Sequence, residues 1–223
     1  MQRRWLEPRF LSLFLGAAGA LWLFLGLASE VGEGETATLD RAILLALRPQ
    51  NHPDGPFGPR WLQELVRDMT SLGSIGVLSF VVVSTFLYLL LVRQIRLAFF
   101  ILFATFFGGV ANVLLKAYFD RRRPDIFPHD FYVQSTSFPS GHAMLATTVY
   151  LTLGALLARL APNLRSKIFI LSLAAFLSGL VGLSRIFLAV HWPSDVLAGW
   201  AAGAAWALGA WTIAQLLQPT PST

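Results

Sequence analysis

Six stretches of this chain are apolar over lengths that suit lipid better than water, and this limits the fold more than any other feature. They run approximately over 10–28, 74–92, 97–115, 143–160, 168–183 and 196–217. About 17 to 25 helical residues cross the roughly 30 Å of bilayer hydrocarbon. A span in lipid must satisfy its own backbone, which a helix does within one segment. The expected fold is therefore all-α, a polytopic bundle of six transmembrane helices forming one domain over 1–223, with a disordered QPTPST tail at 218–223. The fifth run is short and is expected to extend toward Ser184. The first follows Arg3 and Arg4 as a signal peptide would, but its ~19 apolar residues exceed the 7–15-residue core of such a peptide. Composition agrees: 55% of residues are hydrophobic and only 13% charged, against roughly 25% charged in soluble domains.

The charges carry topology. Short cytoplasmic loops are rich in lysine and arginine. With the N-terminus inside, the inner segments hold Arg3, Arg4 and Arg9, then Arg93 and Arg96, then Arg159, Arg165 and Lys167. The outer segments are 29–73, 116–142 and 184–195. This predicts that both termini are cytoplasmic. The net charge of +5 does not point to nucleic acid, because the basic residues form small groups beside apolar runs. Absence of cysteine excludes disulfides, thiolate metal sites and thiol nucleophiles.

In the first outer segment two helical periods, Leu39-Ile43-Ala46-Leu47 and Leu62-Leu65-Val66-Met69, flank the breaker-rich PQNHPDGPFGP. They predict two short amphipathic helices at the membrane surface, with Trp61 as an interfacial anchor and a lid as a further reading. The second outer segment breaks the charge rule by carrying Lys116, Arg121, Arg122 and Arg123, so these cations have work other than orientation.

Three polar islands fall on this outer side: KAYFDRRRP from Lys116, PSGH from Pro139, and SRIFLAVHWPSD from Ser184. Together they make an inventory for handling phosphate. Arginine presents a fork of donors that fits phosphate oxygens and lysine a mobile charge, so Lys116, Arg123 and Arg185 can jointly neutralise a phosphoryl group. Ser140 stands where an N-cap would, and the amides of Gly141 and His142 begin a helix whose N-terminus favours an anion. Glycine at 141 also admits close backbone approach. Pro193 predicts that the last helix starts there, leaving His191 just before it and Asp195 in its first turn, able to reach back. A carboxylate that keeps one imidazole nitrogen protonated leaves the other free to attack phosphorus. His142 would then protonate the leaving oxygen.

Lys116 with Arg123-Pro124, Pro139-Ser140-Gly141-His142, and Ser184-Arg185 with His191 and Asp195 together resemble the three-part signature of the type 2 phosphatidic acid phosphatase family. The resemblance covers roughly 116–195. Through its six spans and amphipathic first outer segment the rest of the chain is similar to integral membrane lipid phosphatases of bacteria, which implies the plasma membrane, the inner membrane of a bacterium, with the site on its outer face. It implies a phosphohistidine at His191, orientation by Asp195, acid and then water activation by His142, and phosphate binding by Lys116, Arg123, Ser140, Gly141, Arg185 and Ser184. It implies no metal and no cofactor. Ser184 also suits a structural cap. The implied substrate is a lipid phosphate or diphosphate, undecaprenyl diphosphate or phosphatidylglycerol phosphate before phosphatidic acid or lipid A phosphates, met at the outer face. Two alternatives share these residues: a vanadium haloperoxidase-like enzyme, whose relatives are soluble, and a non-catalytic lipid-phosphate carrier or flippase, which has no use for a nucleophile. Arg121 and Arg122 lie outside the signature and read as headgroup or surface contacts, with Asp120 and Asp125 as their natural partners. His52 and His129 read as solvated loop residues, and Gly199 with Gly203 as a helix-packing stripe.

Overall fold

The computed structural model describes residues 8–48, 58–125 and 136–217. The expected disordered tail, His52 and His129 lie outside them. Eight helices occur among the described residues, and no strand: α1 (Pro8–Glu33), α2 (Ala37–Ala46), α3 (Arg60–Ser71), α4 (Ile75–Leu91), α5 (Ile95–Phe119), α6 (Gly141–Leu160), α7 (Leu164–Phe187) and α8 (Pro193–Leu217). Five of them, α1 and α5 to α8, are each long and apolar enough to cross a bilayer. The expected span at 74–92 is different. At 17 residues α4 is only about 25 Å long, and it reaches span length together with α3, across a 46° bend. The cause is local: Ser74 caps α4 by accepting the Val77 amide at 3.3 Å, which starts a new helix.

Large apolar side chains point outward along these helices. Trp22 is 77% exposed, Phe80 73% and Leu91 82%. A monomer in water does not present such a continuous belt, and the chain is an integral membrane protein. The interior is built of small residues, branched aliphatics and a few aromatics. α8 packs on α1 and α6, and α6 also packs on α7. Beneath the end where α6 and α8 begin, Phe24 and Ala28 of α1 meet Phe138, Met144 and the alanines at 198, 201 and 202. Phe138 is fully buried, with its ring 4.8 Å from Phe119 and 6.1 Å from Phe24. This ring pins the strap that leads into α6.

Among the described residues the segment joining α1 to α4 holds α2 and α3, and α2 turns inward a face other than the one its apolar period marks. Leu39 is 65% exposed, whereas Asp40 and Leu44 are buried. An aspartate on the packed face follows from what it meets there, the N-terminus of α8 and an arginine. The small-residue stripe does what packing requires. A Cβ at 203 would stand 2.6 Å from the Met144 carbonyl oxygen and 2.8 Å from Thr147 Cβ, so only glycine lets α8 lie this close to α6. Gly203→Val is expected to destabilise the protein by about 1–3 kcal/mol, lowering its melting temperature in detergent by several degrees. Gly209→Ala, on the same helix with nothing within 4 Å of the added carbon, is expected to leave it unchanged.

Candidate active site

Chain direction assembles the site. α5 and α7 end, and α6 and α8 begin, at the same end of the bundle, so the three polar islands converge although they span some eighty residues of sequence. Each island is fixed by its own backbone device. α5 stops at Asp120, which takes a left-handed conformation (φ 41°) that aspartate tolerates better than most residues. α7 stops in a Schellman turn: the Ala189 amide bonds the Ile186 carbonyl at 2.9 Å and the Val190 amide bonds Arg185 at 3.2 Å. Ala189 carries the positive φ of 53° where glycine is usual. The apolar residues Ile186 to Val190 thus fold a tight reversal that delivers His191.

α8 begins at Pro193, as predicted. Asp195 in its first turn reaches back to accept the Trp192 amide at 2.9 Å through Oδ2. The same Oδ2 accepts a short hydrogen bond from the Ser137 hydroxyl. Ser137 Oγ lies 3.3 Å from His191 Nδ1, while the direct Nδ1–Oδ2 separation is 3.5 Å. A hydroxyl has one proton; with that proton on Asp195, Oγ accepts from Nδ1–H. This fixes the tautomer in which Nε2 carries the lone pair, the acceptor that faces the Arg123 guanidinium. Arg123 Nη1 sits 3.1 Å from that nitrogen and donates to the Val190 carbonyl at 2.7 Å.

His191 is almost fully buried. Burial above all, helped by repulsion from Arg123 and Arg185 and opposed by Asp195, pushes its pKa down to about 3. The imidazole is therefore neutral at ordinary pH, as a nitrogen nucleophile has to be. Burial likewise lowers the Arg123 pKa, against the attraction of Asp195, yet guanidinium starts high enough to keep its charge.

Lys116, one turn before the end of α5, donates to the Thr136 carbonyl at 2.6 Å. A Cβ on Gly141 would meet Lys116 Cε at 3.4 Å and Asn112 Oδ1 at 3.1 Å, so this glycine lets the start of α6 close onto α5. Ser140 is the N-cap residue of α6, but its hydroxyl makes no capping bond; it is buried without a protein partner. Its amide donates to the Asp195 carbonyl at 2.9 Å, tying the two islands together. Arg185 is 9% exposed, donates to Thr70 of α3 at 3.1 Å, and keeps its Nε without a protein partner. His142 is half-buried beside Gly73, at the α3–α4 joint. The Ser184 hydroxyl donates to the Val181 carbonyl of its own helix at 2.6 Å, a back-bond inside α7 rather than a cap, and so is not a free donor to the site.

Arg121 corrects a sequence expectation. It is no surface contact, and its partners are neither Asp120 nor Asp125. Its guanidinium bonds Asp195 Oδ1 at 2.6 Å, Ser194 Oγ at 2.8 Å and Asp40 Oδ2 at 2.9 Å. Arg122 is exposed, and its carbonyl accepts the Trp192 indole at 3.0 Å. Ser137, Asp40 and Thr70 were not identifiable as site neighbours from spacing. Among the described residues there is no group of three or more His, Asp or Glu placed to hold a metal ion.

The arrangement has a neutral imidazole with an oriented lone pair, a second histidine, and cations around the start of a helix. Such a set suits phosphoryl transfer to nitrogen. The PAP2 superfamily model matches residues 97–219. Phosphatidylglycerophosphatase B of Bacillus subtilis is 31% identical over 183 residues, which is 81% of this chain and 85% of that one. A lipid A 1-phosphatase of Rhizobium johnstonii is 34% identical over 116 residues, 47% of this chain and 43% of its own. The crystal structure of a transmembrane PAP2 type phosphatidylglycerolphosphate phosphatase from Bacillus subtilis superposes with a TM-score of 0.81 at 27% identity, covering 91% of this chain and 98% of that one. By signature, sequence and fold alike, the chain belongs to the PAP2 superfamily and is a hydrolase of the lipid phosphatase kind.

Proposed function

We propose that the protein removes the terminal phosphate of phosphatidylglycerol phosphate, or of a related lipid phosphate or diphosphate such as undecaprenyl diphosphate, through a phosphohistidine at His191. The observation that carries this reading is the Asp195–Ser137–His191 chain, which leaves Nε2 with a lone pair beside Arg123. Nε2 attacks phosphorus, the bond from phosphorus to the lipid oxygen breaks, and His142 gives its proton to that oxygen. Water, deprotonated by His142, then attacks phosphorus, the P–N bond breaks, and inorganic phosphate leaves. Lys116, Arg123, Arg185, Ser140 and the Gly141 amide hold the transferred oxygens, and the transition-state charge is where such donors count most. Ser184 belongs to this set only through α7, to whose Val181 carbonyl its hydroxyl is bonded.

The lipid nature of the substrate is supported by an apolar cavity of about 550 Å³ between α4, α5 and α6, lined by Leu78, Val82, Phe106, Val113 and Leu145 and also by Asn112. Asn112 also borders Gly141, so acyl chains and phosphate can be held at once. A carrier would need the cations and the cavity but not the relay behind His191.

In this reading 1–223 is one domain with six spans, α3 and α4 together making the second. Both termini are cytoplasmic and the site faces outward. The inner charges support it: Arg93 and Arg96 follow α4, and Arg159, Arg165 and Lys167 lie about the α6–α7 turn, away from the site. The chain has no cysteine, so Arg122→Cys can be labelled alone. An impermeant maleimide is expected to reach it in intact cells and to spare Arg93→Cys; the reverse pattern would overturn the orientation.

Purified protein is expected to release phosphate from a panel of lipid phosphates and diphosphates, with chelator present. His191→Ala should lower the rate by about 10⁴-fold or more, and a variant as fast as the parent would sink the mechanism. Ser137→Ala removes the hydroxyl that fixes the tautomer while leaving the cations in place. It is expected to reduce kcat roughly 10- to 100-fold at little change in KM.

A further inference from the structure

Arg121 stands outside the three-part signature, yet its guanidinium joins two buried carboxylates on different helices. Nη1 bonds Asp195 Oδ1 at 2.6 Å, and Nη2 bonds Asp40 Oδ2 at 2.9 Å and approaches Thr36 Oγ1 at 3.4 Å. Its side chain is 17% exposed, against 3% for Asp40 and 0% for Asp195. It also lies 5.6 Å from the Trp192 ring centre, over the residue that follows His191. Two anions removed from water need a cation and hydrogen bonds to remain charged, and Arg121 supplies them to both.

The geometry says more than charge balance. Asp195 Oδ2 is already committed to Ser137 and the Trp192 amide. A carboxylate held at one oxygen can still swing about its terminal torsion, which is soft. Holding Oδ1 as well fixes its plane, and through Ser137 that plane sets the direction of the His191 ring. Asp40 in turn holds Arg121, and it accepts the Ser194 amide at 2.9 Å and hydroxyl at 2.5 Å at the start of α8. An arginine that only anchored α2 would need Asp40 alone.

We propose that Arg121 is a positioning residue for the reaction, acting through Asp195 and Ser137 on His191, and that Asp40 of α2 holds it in place, so that the docking of α2 is part of the catalytic geometry. The inference rests on the phosphohistidine reading above. It assigns α2 a task in catalysis rather than in covering the site.

The test compares kcat, KM and competitive inhibition by inorganic phosphate for the parent, Arg121→Gln, Arg121→Lys, Asp40→Asn and the Arg121→Gln/Ser137→Ala pair, on phosphatidylglycerol phosphate. Arg121→Gln is expected to lose kcat roughly 10- to 100-fold, with KM and the phosphate inhibition constant within about threefold of the parent, because the phosphate-binding cations are untouched. Arg121→Lys should recover only part of the loss, since an ammonium cannot fork to two carboxylates. Asp40→Asn should lower kcat less than Arg121→Gln, again at steady KM. The pair should lose less than the product of the single losses, because both act through one carboxylate. Phosphate inhibition also reports that the site has formed. If Arg121→Gln no longer binds phosphate, Arg121→Lys decides: parent-like kcat overturns the proposal. So does kcat within about twofold of the parent in Arg121→Gln, a loss carried by KM, or losses that multiply in the pair. A parent that releases phosphate from none of the lipids overturns the phosphatase reading and this inference with it, whereas an active parent with an equally active Arg121→Gln overturns this inference alone.

Discussion

Asp195 is a carboxylate with no exposure to solvent, at the end of a bundle whose walls face lipid. An anion in that position persists only if every lone pair has a partner, and the neighbouring structure can be understood as the supply of those partners. Ser137 brings a hydroxyl from the strap before α6, Trp192 an amide from the turn before α8, and Arg121 a guanidinium from the strap after α5. Three separate segments are therefore locked together by one side chain. The Phe138 wedge holds the strap in register, and the Ser140 amide bonded to the Asp195 carbonyl closes the remaining gap. Removing this carboxylate would leave the buried Ser137 hydroxyl and the Trp192 amide without their acceptor and the Arg121 guanidinium with Asp40 as its one carboxylate, which is a larger disturbance than the loss of one charge.

Much of this was legible in the sequence because its causes are local. Apolar run length marks the spans, Pro193 marks the start of α8, and Ser140 marks the start of α6. Signature spacing identifies Lys116, Arg123, Arg185, His142, His191 and Asp195 as one set, and chain direction then brings them to one end. The α3–α4 bend was missed because hydropathy averages over a window, while the break depends on Ser74 capping a new helix. Ser137 and Asp40 were missed for a different reason: their importance lies in partners 58 and 154 residues away. A periodicity argument gives α2 its apolar face and cannot know that a fixed arginine waits on the other one. The signal that was available for Arg121 was its offence against the charge rule. That signal marked the basic cluster as occupied, though not by what.

The same accounting explains the strain at Ala189. A non-glycine residue at positive φ costs on the order of 1–2 kcal/mol, and here it sits in the turn that presents His191. Such outliers persist where the surroundings over-determine them. The Val190 carbonyl is held by Arg123 and the Val190 amide by Arg185, so both backbone groups beside His191 are anchored, the carbonyl by a cation and the amide by the end of α7.

Two helices begin at this end of the bundle, and their N-termini are treated in opposite ways. At α8 the Ser194 amide is taken by Asp40 and the preceding Trp192 amide by Asp195, so its dipole is already answered by the protein's own carboxylates. At α6 the N-cap hydroxyl of Ser140 is buried without a protein partner, and Lys116, Arg123 and Arg185 belong to the same site. An incoming anion therefore meets one helix end that repels it and another that attracts it. Had both N-termini been left open, a phosphate could settle against α8, beside Asp195 and behind the imidazole. With α8 filled, the favourable position lies on the Nε2 side of His191, where the lone pair points. In the proposed mechanism the carboxylates of Asp40 and Asp195 thus aim the substrate as well as the nucleophile, and the segment that carries Asp40 is tied to that chemistry by charge as much as by packing.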